Sequence, residues 1–268
     1  VGEGDLAIGS GVECMSRAPW SMMKPDRLPT TAAPKMWDTT VGWRFNNPKM
    51  DEMYPIVSLG EGAEVIAEEM QISRDDQDAY SLESHTRAIA AINDGKFKDE
   101  ILPIAVPQRR GDPVIVDTDE HPRYEKSNGS YELAIDTERL AKLRPAFKKD
   151  GSVTAGNSSG INDGAAALLL ASKDKADELG LKPLLRWVGS ASAGTDPSHF
   201  AYGPVPATEK LLKRFDLTID DIGLVELNEA FASQALGCMR QLGLDPAITN
   251  VNGGAISLGH PTGCSGSR

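Results

Sequence analysis

Cysteine is scarce in this chain, and its few cysteines form no pattern that binds a metal. Cys14, Cys238 and Cys264 are widely spaced among the 268 residues, and neither C-x-x-C nor H-E-x-x-H occurs. The sequence therefore supports no metal site. An odd number of isolated cysteines is typical of a reducing compartment and not of a secreted disulfide framework. We predict a cytoplasmic location and no bound metal.

Positive charge and long apolar runs are also in short supply. The net charge of -11 at pH 7 leaves no general basic field to attract nucleic acid. No apolar run approaches the ~20 residues that a membrane helix needs, so we predict no nucleic-acid or membrane partner. Two local basic clusters suit either a small phosphorylated ligand or a solvated surface: Arg109, Arg110 and Arg123, and Lys142, Arg144, Lys148 and Lys149.

Strand and helix patterns alternate along the chain, which predicts an α/β fold. Helices are expected at 60–70, from an N-cap at Ser73 to a stop at Gly95, at 208–215 and at 231–242. Residues 19–55 are expected to carry little regular structure, and 118–140 to be polar and rich in turns. Strands are expected at 6–12, 101–106, 114–116, 184–190 and 224–227.

Two blocks each place one polar side chain among small or apolar residues. They are Asn228-Glu229-Ala230-Phe231-Ala232 and the Gly-rich run from Val251 to Pro261, which contains His260. A water-poor site that stabilises an oxyanion is built from such groups. A neutral histidine accepts a thiol proton near neutral pH, and an asparagine amide offers two N–H donors. Taken alone, a histidine before proline in a Gly-rich turn, such as His260, is more often structural, and an isolated asparagine after a strand, such as Asn228, is usually a cap of the following helix.

These blocks closely resemble segments of the thiolases, enzymes that cleave or form 3-oxoacyl-CoA thioesters. The resemblance covers nearly the whole chain, and residues 38–45 are most like degradative thiolases, including those that act on 3-oxoadipyl-CoA. The further segments that carry it are Gly11-Val12-Glu13-Cys14-Met15-Ser16-Arg17-Ala18-Pro19, Leu143-Arg144-Pro145-Ala146-Phe147 and the run from Thr154-Ala155-Gly156-Asn157 to Asn162-Asp163-Gly164-Ala165-Ala166.

The resemblance implies a thiolase fold: layered α-β-α-β-α, two similar halves and an inserted loop domain. Residues 1–20 would end the N-terminal half, 21–161 form the loop domain, 162–182 return to the N-terminal half, and 183–268 begin the C-terminal half. The chain is expected to be an internal fragment, incomplete at both ends.

For the chemistry, the resemblance implies that His260 activates a nucleophilic cysteine and helps to bind the thioester oxygen. Asn228 would hold a catalytic water in the oxyanion hole. Glu229 is either a buried carboxylate that orients the site or a charge at a helix N-terminus. The family's two catalytic cysteines stand in C-S-S-G and C-x-G-G-G contexts that this chain lacks. They are expected before Val1 and after Arg268, and the segment alone is expected to be inactive.

The resemblance also implies a coenzyme A site, with coenzyme A as a substrate and no cofactor. Arg123 matches an arginine near the nucleotide end. Ser58-Leu59-Gly60 and Phe200 depart from the His-Met-Gly and the Met that biosynthetic acetoacetyl-CoA thiolases often carry. That difference weakens any transfer of their short-chain specificity. The residues that match the lining of the pantetheine tunnel are Phe147, Ala155, Ser159, Ala230 and Phe231.

The predicted function is therefore that of a thiolase: an acyltransferase that uses coenzyme A to cleave 3-oxoacyl-CoA into acetyl-CoA and a shortened acyl-CoA, or runs the reverse condensation. The resemblance implies a homodimer or homotetramer whose partners are acyl-CoA and coenzyme A. The alternative is a thiolase-like protein that binds acyl-CoA or lipid without turnover. A ketoacyl synthase is a weaker alternative, because that group uses two histidines or a His-Asn pair in other motifs.

Overall fold

The computed structural model describes residues 4–25 and 33–268, which form a mixed α/β structure as predicted. Its strands are β1 (Leu6–Cys14), β2 (Trp20–Met22), β3 (Met36–Asp38), β4 (Ile104–Val106), β5 (Val114–Val116), β6 (Tyr124–Ser127), β7 (Ser130–Leu133) and β8 (Asp163–Ala171). Its α-helices are α1 (Pro48–Met53), α2 (Leu59–Glu69), α3 (Arg74–Asn93), α4 (Thr137–Ala141), α5 (Lys173–Glu178), α6 (Pro204–Phe215), α7 (Ala232–Leu242), α8 (Ala255–Leu258) and α9 (Thr262–Ser265). Short 3-10 helices span Met15–Arg17, Pro197–Tyr202 and Ile219–Asp221. Over the described ranges, no helix is both long and apolar enough to cross a membrane.

The contacts divide the chain into two compact units, and neither unit is continuous in sequence. The first comprises Val1–Tyr54, Ile161–Ser192 and His260–Arg268; the second comprises Pro55–Gly160 and Ala193–Gly259. This division follows spatial contacts. The domain boundaries expected from the resemblance stay a prediction.

The first unit is built on one antiparallel ladder. β1 and β8 pair along their whole length, from Leu6 opposite Ala171 to Cys14 opposite Asp163. The turn that follows His260 is tied to this ladder, because Gly263 N donates to the Glu13 carboxylate at 3.1 Å. The ladder thus sets the position of the residues around His260.

The core of the second unit lies among α2, α3 and α7. Ser58 and Ser73 start α2 and α3 with reciprocal capping boxes, and Gly243 ends α7 in the left-handed region at φ +66°. These helices match the predictions at 60–70, Ser73 to Gly95 and 231–242. The main buried apolar cluster contains Ile66, Ile72, Ala201, Tyr202, Val205, Leu227, Ala235, Cys238, Met239 and Leu244.

Two of the predicted strands are absent from the described structure. Residues 184–190 belong to none of its ladders, and Leu184 and Leu185 are 93% and 92% exposed. An apolar run becomes a strand only where a neighbour pairs with its backbone. Residues 224–227 form only one bridge, between Val225 and Thr249. The apolar pattern was therefore insufficient evidence for a strand in both segments.

Residues 118–140 were predicted only to be polar and rich in turns. In the structure they contain the β6–β7 hairpin. Its turn is Asn128-Gly129, and both residues have positive φ, at 49° and 87°. Asn-Gly is the preferred pair for a type I′ hairpin turn. The strands predicted at 101–106 and 114–116 pair with each other as β4 and β5, and the first of them is shorter than predicted.

Candidate active site

Asn228 is an exposed residue held between two buried neighbours. Leu227 is 9% exposed and Glu229 1% exposed. α7 begins at Ala232 with Phe231 as its N-cap, so Asn228 is not the cap of that helix. The backbone on both sides of Asn228 is fixed, and the residue itself is exposed on the second unit.

Glu229 is a buried carboxylate, so the alternative of a charge at a helix N-terminus is wrong. Its Oε1 accepts hydrogen bonds from Tyr80 Oη at 3.1 Å and Asn250 Nδ2 at 2.9 Å. Its Oε2 accepts from Ser84 Oγ at 2.7 Å and from the backbone N–H of Ile256 at 3.1 Å. Two oxygens therefore satisfy four donors, which come from α3, from Asn250 and from the start of α8.

Asn250 braces the same segment from the other side. Its Oδ1 accepts from Leu227 N at 2.7 Å, and its Nδ2 donates to Leu227 O at 2.8 Å. These two bonds fix the orientation of the amide, because a flipped amide would oppose like groups at both positions. The second Nδ2 hydrogen then points to Glu229.

The paired glycines Gly253 and Gly254 are required by close packing. Gly253 has φ +81°, and a Cβ there would lie 2.7 Å from Ala88 Cβ on α3. A Cβ on Gly254 would overlap the Glu229 carboxylate. The Gly-rich block therefore fits against α3 and Glu229 only without side chains at these positions.

The second unit brings together three of the residues predicted to line a coenzyme A tunnel. Ser159 N donates to Ala230 O at 3.0 Å, and Ser158 forms an antiparallel bridge with Phe231. Phe231 is 9% exposed and belongs to a small buried cluster with Ala63 and Val153, against which Ala230 packs. The loop at 157–159 and the block at 230–232 thus run side by side.

Phe147 and Phe200 both pack against glycines of α2. The Phe147 ring meets Phe231 edge to face, with centroids 5.7 Å apart, and it occupies the space that a Cβ on Gly60 would need. Phe200 stands in the same way over Gly62. Small residues at the start of α2 let both rings approach its backbone, and an apolar surface of aromatic rings suits a pantetheine arm.

Ala155 lies exposed on a loop that buried polar groups hold in shape. Asn157, fully buried, accepts from Thr154 N at 2.8 Å through Oδ1 and donates to Asp78 at 3.0 Å. Glu64, 2% exposed, accepts from Val153 N at 2.9 Å and from Ser152 N at 3.0 Å. These side chains replace the regular backbone pairing that the loop lacks.

Arg123 is exposed at the surface of the second unit, and two histidines fix the backbone beside it. Its N–H donates to His85 Nδ1 at 3.2 Å, and His121 Nε2 lies 3.1 Å from Ile256 O. Burial, followed by the nearby His121 and Arg123 charges, lowers the pKa of His85 to about 4. His85 is therefore neutral at pH 7, as an acceptor Nδ1 requires.

His260 lies in the first unit and is partly buried. Its backbone N–H donates to Asn162 Oδ1 at 3.3 Å, and its Nδ1 lies 2.7 Å from Ser265 Oγ. Ser265 Oγ also donates to Pro261 O at 3.1 Å, so its one hydrogen is used there and it accepts from Nδ1–H. This arrangement fixes the tautomer with the lone pair on Nε2. Burial also lowers the pKa of His260, which favours the neutral ring that a general base needs.

The three cysteines have no environment that suits a nucleophile. Cys238 is fully buried in α7, and burial raises the pKa of its thiol to about 11. Cys264 is 1% exposed. Cys14 is exposed, and its Sγ lies 3.7 Å from Asp163 Oδ2, where a thiolate would meet a carboxylate of like charge. Across the described part of the chain, no three His, Cys, Asp or Glu side chains are grouped as metal ligands.

Sequence reasoning missed the residues that support the site. Ser265 lies close to His260 in sequence, but nothing in that spacing predicts a hydrogen bond between the two side chains. Asn250 and Ser84 are ordinary polar residues in sequence. Their roles depend on contacts between segments that are far apart in sequence. Ser84 and Glu229, for example, are more than 140 positions apart, and no local sequence pattern connects residues at that separation.

Family models match nearly the whole chain. The model described as "Thiolase, N-terminal domain" matches residues 1–174, and "Thiolase, C-terminal domain" matches 181–268. A beta-ketoadipyl-CoA thiolase of Acinetobacter baylyi is 48% identical over 100% of this chain and 65% of its own length. An acetyl-CoA acetyltransferase of Chromobacterium violaceum is also 48% identical, over 100% of this chain and 64% of its own.

Comparison with solved structures also finds similarity to thiolases and acetyl-CoA acetyltransferases. The acetyl-CoA acetyltransferase of Bacillus anthracis is 41% identical with a TM-score of 0.86, covering 100% of this chain and 64% of its own. Human mitochondrial 3-ketoacyl-CoA thiolase in complex with CoA is 39% identical with a TM-score of 0.82, covering 100% and 63%. The chain thus has the fold of these proteins, and it spans slightly less than two thirds of the length of these relatives.

Proposed function

The chain belongs to the thiolase family, and from this premise we propose that the protein it comes from cleaves 3-oxoacyl-CoA by thiolysis. The single observation that carries the proposal is the site around Asn228. Its amide is presented from a backbone locked by Glu229 and Asn250. A polar group fixed before the reaction is what oxyanion stabilisation needs. The non-catalytic alternative gives no reason for such a construction.

The proposed reaction begins when a cysteine thiolate attacks the 3-oxo carbon of the substrate. A water on Asn228 and the Nε2–H of His260, which has gained the proton of that cysteine, donate hydrogen bonds to the oxyanion that forms. The Cα–Cβ bond then breaks, the second catalytic cysteine gives its proton to the departing carbanion, and acetyl-CoA leaves. The same cysteine then takes the proton of a second coenzyme A thiol, whose thiolate attacks the acyl-cysteine, releases the shortened acyl-CoA and restores the cysteine thiolate.

Within this scheme His260 deprotonates the nucleophilic cysteine through Nε2. The Ser265 contact on Nδ1 supports that role, because it fixes which nitrogen carries the lone pair. Both catalytic cysteines are proposed to lie in parts of the protein that this chain does not span. The buried Cys238 and Cys264 and the carboxylate-facing Cys14 support that assignment.

The coenzyme A site is proposed to lie on the second unit. Phe147, Phe231 and Phe200 supply its apolar wall, with Ser159, Ala155 and Ala230 along the pantetheine arm. Arg123 carries a positive charge at an exposed position and is proposed to meet the nucleotide phosphates. The human mitochondrial 3-ketoacyl-CoA thiolase was solved in complex with CoA, which supports coenzyme A as the partner here.

The substrate is proposed to be a degradative 3-oxoacyl-CoA, as in β-oxidation, with 3-oxoadipyl-CoA as the first candidate. Several relatives are named beta-ketoadipyl-CoA thiolases. The departure at Ser58-Leu59-Gly60 from biosynthetic enzymes supports the same choice. A cytoplasmic homodimer or homotetramer is proposed for the whole protein.

The test uses the full-length protein and follows the loss of 3-oxoacyl-CoA and the appearance of acetyl-CoA. Acetoacetyl-CoA, a medium-chain 3-oxoacyl-CoA and 3-oxoadipyl-CoA are compared. His260→Ala and Asn228→Ala should each lower kcat by about 10²–10⁴-fold. Asn93→Ala, which alters an asparagine that instead holds β7, is the matched control. Coenzyme A binding without turnover of any substrate would favour the non-catalytic alternative.

A further inference from the structure

We propose that Glu229 is the positioning residue of this site: it holds Asn228 and residues 254–256 in the geometry that the reaction needs. The proposal rests on the proposed function for its catalytic consequence. It concerns a residue that touches neither substrate nor the reacting atoms, and it acts through the backbone on either side of it.

Glu229 joins two segments of the site to α3 through its hydrogen bonds. Oε1 and Oε2 each accept two hydrogen bonds. Two of the donors, Tyr80 and Ser84, lie on α3. Ile256 N is the third, and it lies four residues before His260. One carboxylate therefore fastens the Asn228 segment and the Gly-rich block to the same helix.

A neutral side chain of the same shape cannot replace the Glu229 carboxylate. If glutamine placed its NH₂ group at the Oε1 position, that group would face Asn250 Nδ2, whose orientation is fixed by Leu227. If it placed the NH₂ group at the Oε2 position, it would face the backbone N–H of Ile256. Hydroxyls can reverse their hydrogen bonds, but these two N–H groups cannot. Either orientation leaves a buried N–H opposite another, and a polar group left unsatisfied in a buried site is costly.

The Glu229 carboxylate has no room to move. A Cβ at Gly254 would overlap it, so the Gly-rich block packs directly on Glu229. Burial, and then the Glu229 charge, raises the pKa of Tyr80 above its ordinary value, so the phenol stays a neutral donor. A shift of Glu229 would displace Gly254 and the N–H of Ile256 together.

The experiment compares Glu229→Gln with Glu64→Gln in the full-length protein. Glu64 is a matched control because it is equally buried in the same unit and also accepts from backbone N–H groups, those of Ser152 and Val153. Both variants should be less stable. Glu229→Gln should lower kcat by about 10²-fold, the effect of a misplacement of about 1 Å, with the KM for coenzyme A little changed. Glu64→Gln loosens the loop that carries Ala155, so it should raise the KM for coenzyme A and lower kcat much less than Glu229→Gln does.

Amide hydrogen exchange supplies a readout that does not depend on activity. Glu229→Gln should speed exchange in residues 225–230 and 250–258, and Glu64→Gln should speed it in 150–156. If Glu229→Gln does not fold, Tyr80→Phe removes one of the four donors, and it should lower kcat several-fold and loosen the same two segments. Unchanged exchange in 225–230 and 250–258 overturns the proposal whether or not the enzyme is active. A wild-type protein inactive on every substrate overturns the proposed function alone, and a normal kcat in an active Glu229→Gln enzyme overturns the positioning role.

Discussion

Acidification from pH 7 to pH 4.5 should destabilise this protein through one buried histidine. His85 lies on α3, 5% exposed, and its Nδ1 accepts the N–H of Arg123 at 3.2 Å. Burial, with the charges of His121 and Arg123, lowers its pKa from 6.5 to about 4. In the folded protein the ring stays neutral in a pH range where the unfolded chain has already bound a proton.

The sign and size of the effect follow from that difference. Between pH 6.5 and about 4 the unfolded state holds more protons, so the free energy of unfolding falls as the pH falls. Above pH 6.5 both states are neutral at His85, and its contribution is fully present. At about 1.4 kcal/mol for each tenfold change in proton affinity, the loss amounts to about 3 kcal/mol by the lower end of the window. Protonation also removes the acceptor for Arg123 N–H, so the loop that carries Arg123 should loosen in the same window.

The assay is urea unfolding of the full-length protein at a series of pH values, compared with His85→Asn. The asparagine Oδ1 can still accept from Arg123 N–H, but it does not titrate. Other groups, including His260 and the carboxylates, contribute to both proteins and cancel in the difference. The stability of the wild type relative to the variant should fall by about 3 kcal/mol as the pH drops through the window. Parallel curves for the two proteins would refute the buried neutral state of His85.

Three further predictions concern side chains around the proposed site. Arg123→Ala should raise the KM for coenzyme A and leave kcat mostly intact if, as proposed, the residue meets the nucleotide end; a large fall in kcat at unchanged KM would contradict this. Ser265→Ala should leave His260 free to adopt either tautomer, which should lower kcat/KM and shift the pH dependence of kcat/KM, and Ser265→Thr should restore part of the loss. A pH dependence identical to that of the wild type would argue against the Ser265 contact. Gly60→Ala should push Phe147 out of place, cost about 1–3 kcal/mol of stability and weaken coenzyme A binding, as urea unfolding and KM would report.

Local signals in the sequence predicted the helices well. Ser73 starts α3 with a capping box, and Gly243 ends α7 in the left-handed region. Such signals work because caps satisfy backbone groups within one turn of the residue concerned. The Asn128-Gly129 turn was an equally local signal, and giving it full weight would have predicted the β6–β7 hairpin.

Structural features that depend on residues far away in sequence could not be predicted from local sequence patterns. The apolar run at 184–190 has the composition of a strand, but pairing decides whether a strand forms. For Glu229 the sequence left two alternatives open. The choice between them depends on Tyr80 and Ser84, which no local periodicity connects to it. The roles of Asn228 and His260 came from motif resemblance, and they stay predictions until the variants are measured.

The β1–β8 ladder sets the order of events during synthesis. Leu6 pairs with Ala171, so roughly 160 residues must follow β1 before its partner exists; at ribosomal speed this takes roughly 8–30 s. Throughout that interval the edge of β1 that β8 covers lacks its partner, and an unpaired strand edge is a template for pairing with another chain. Contacts so far apart in sequence also slow folding itself. The β1–β8 ladder should therefore form only after residues 55–160 of the second unit have been synthesised, and a ribosome stalled before β8 should leave that edge of β1 open to pairing with other chains.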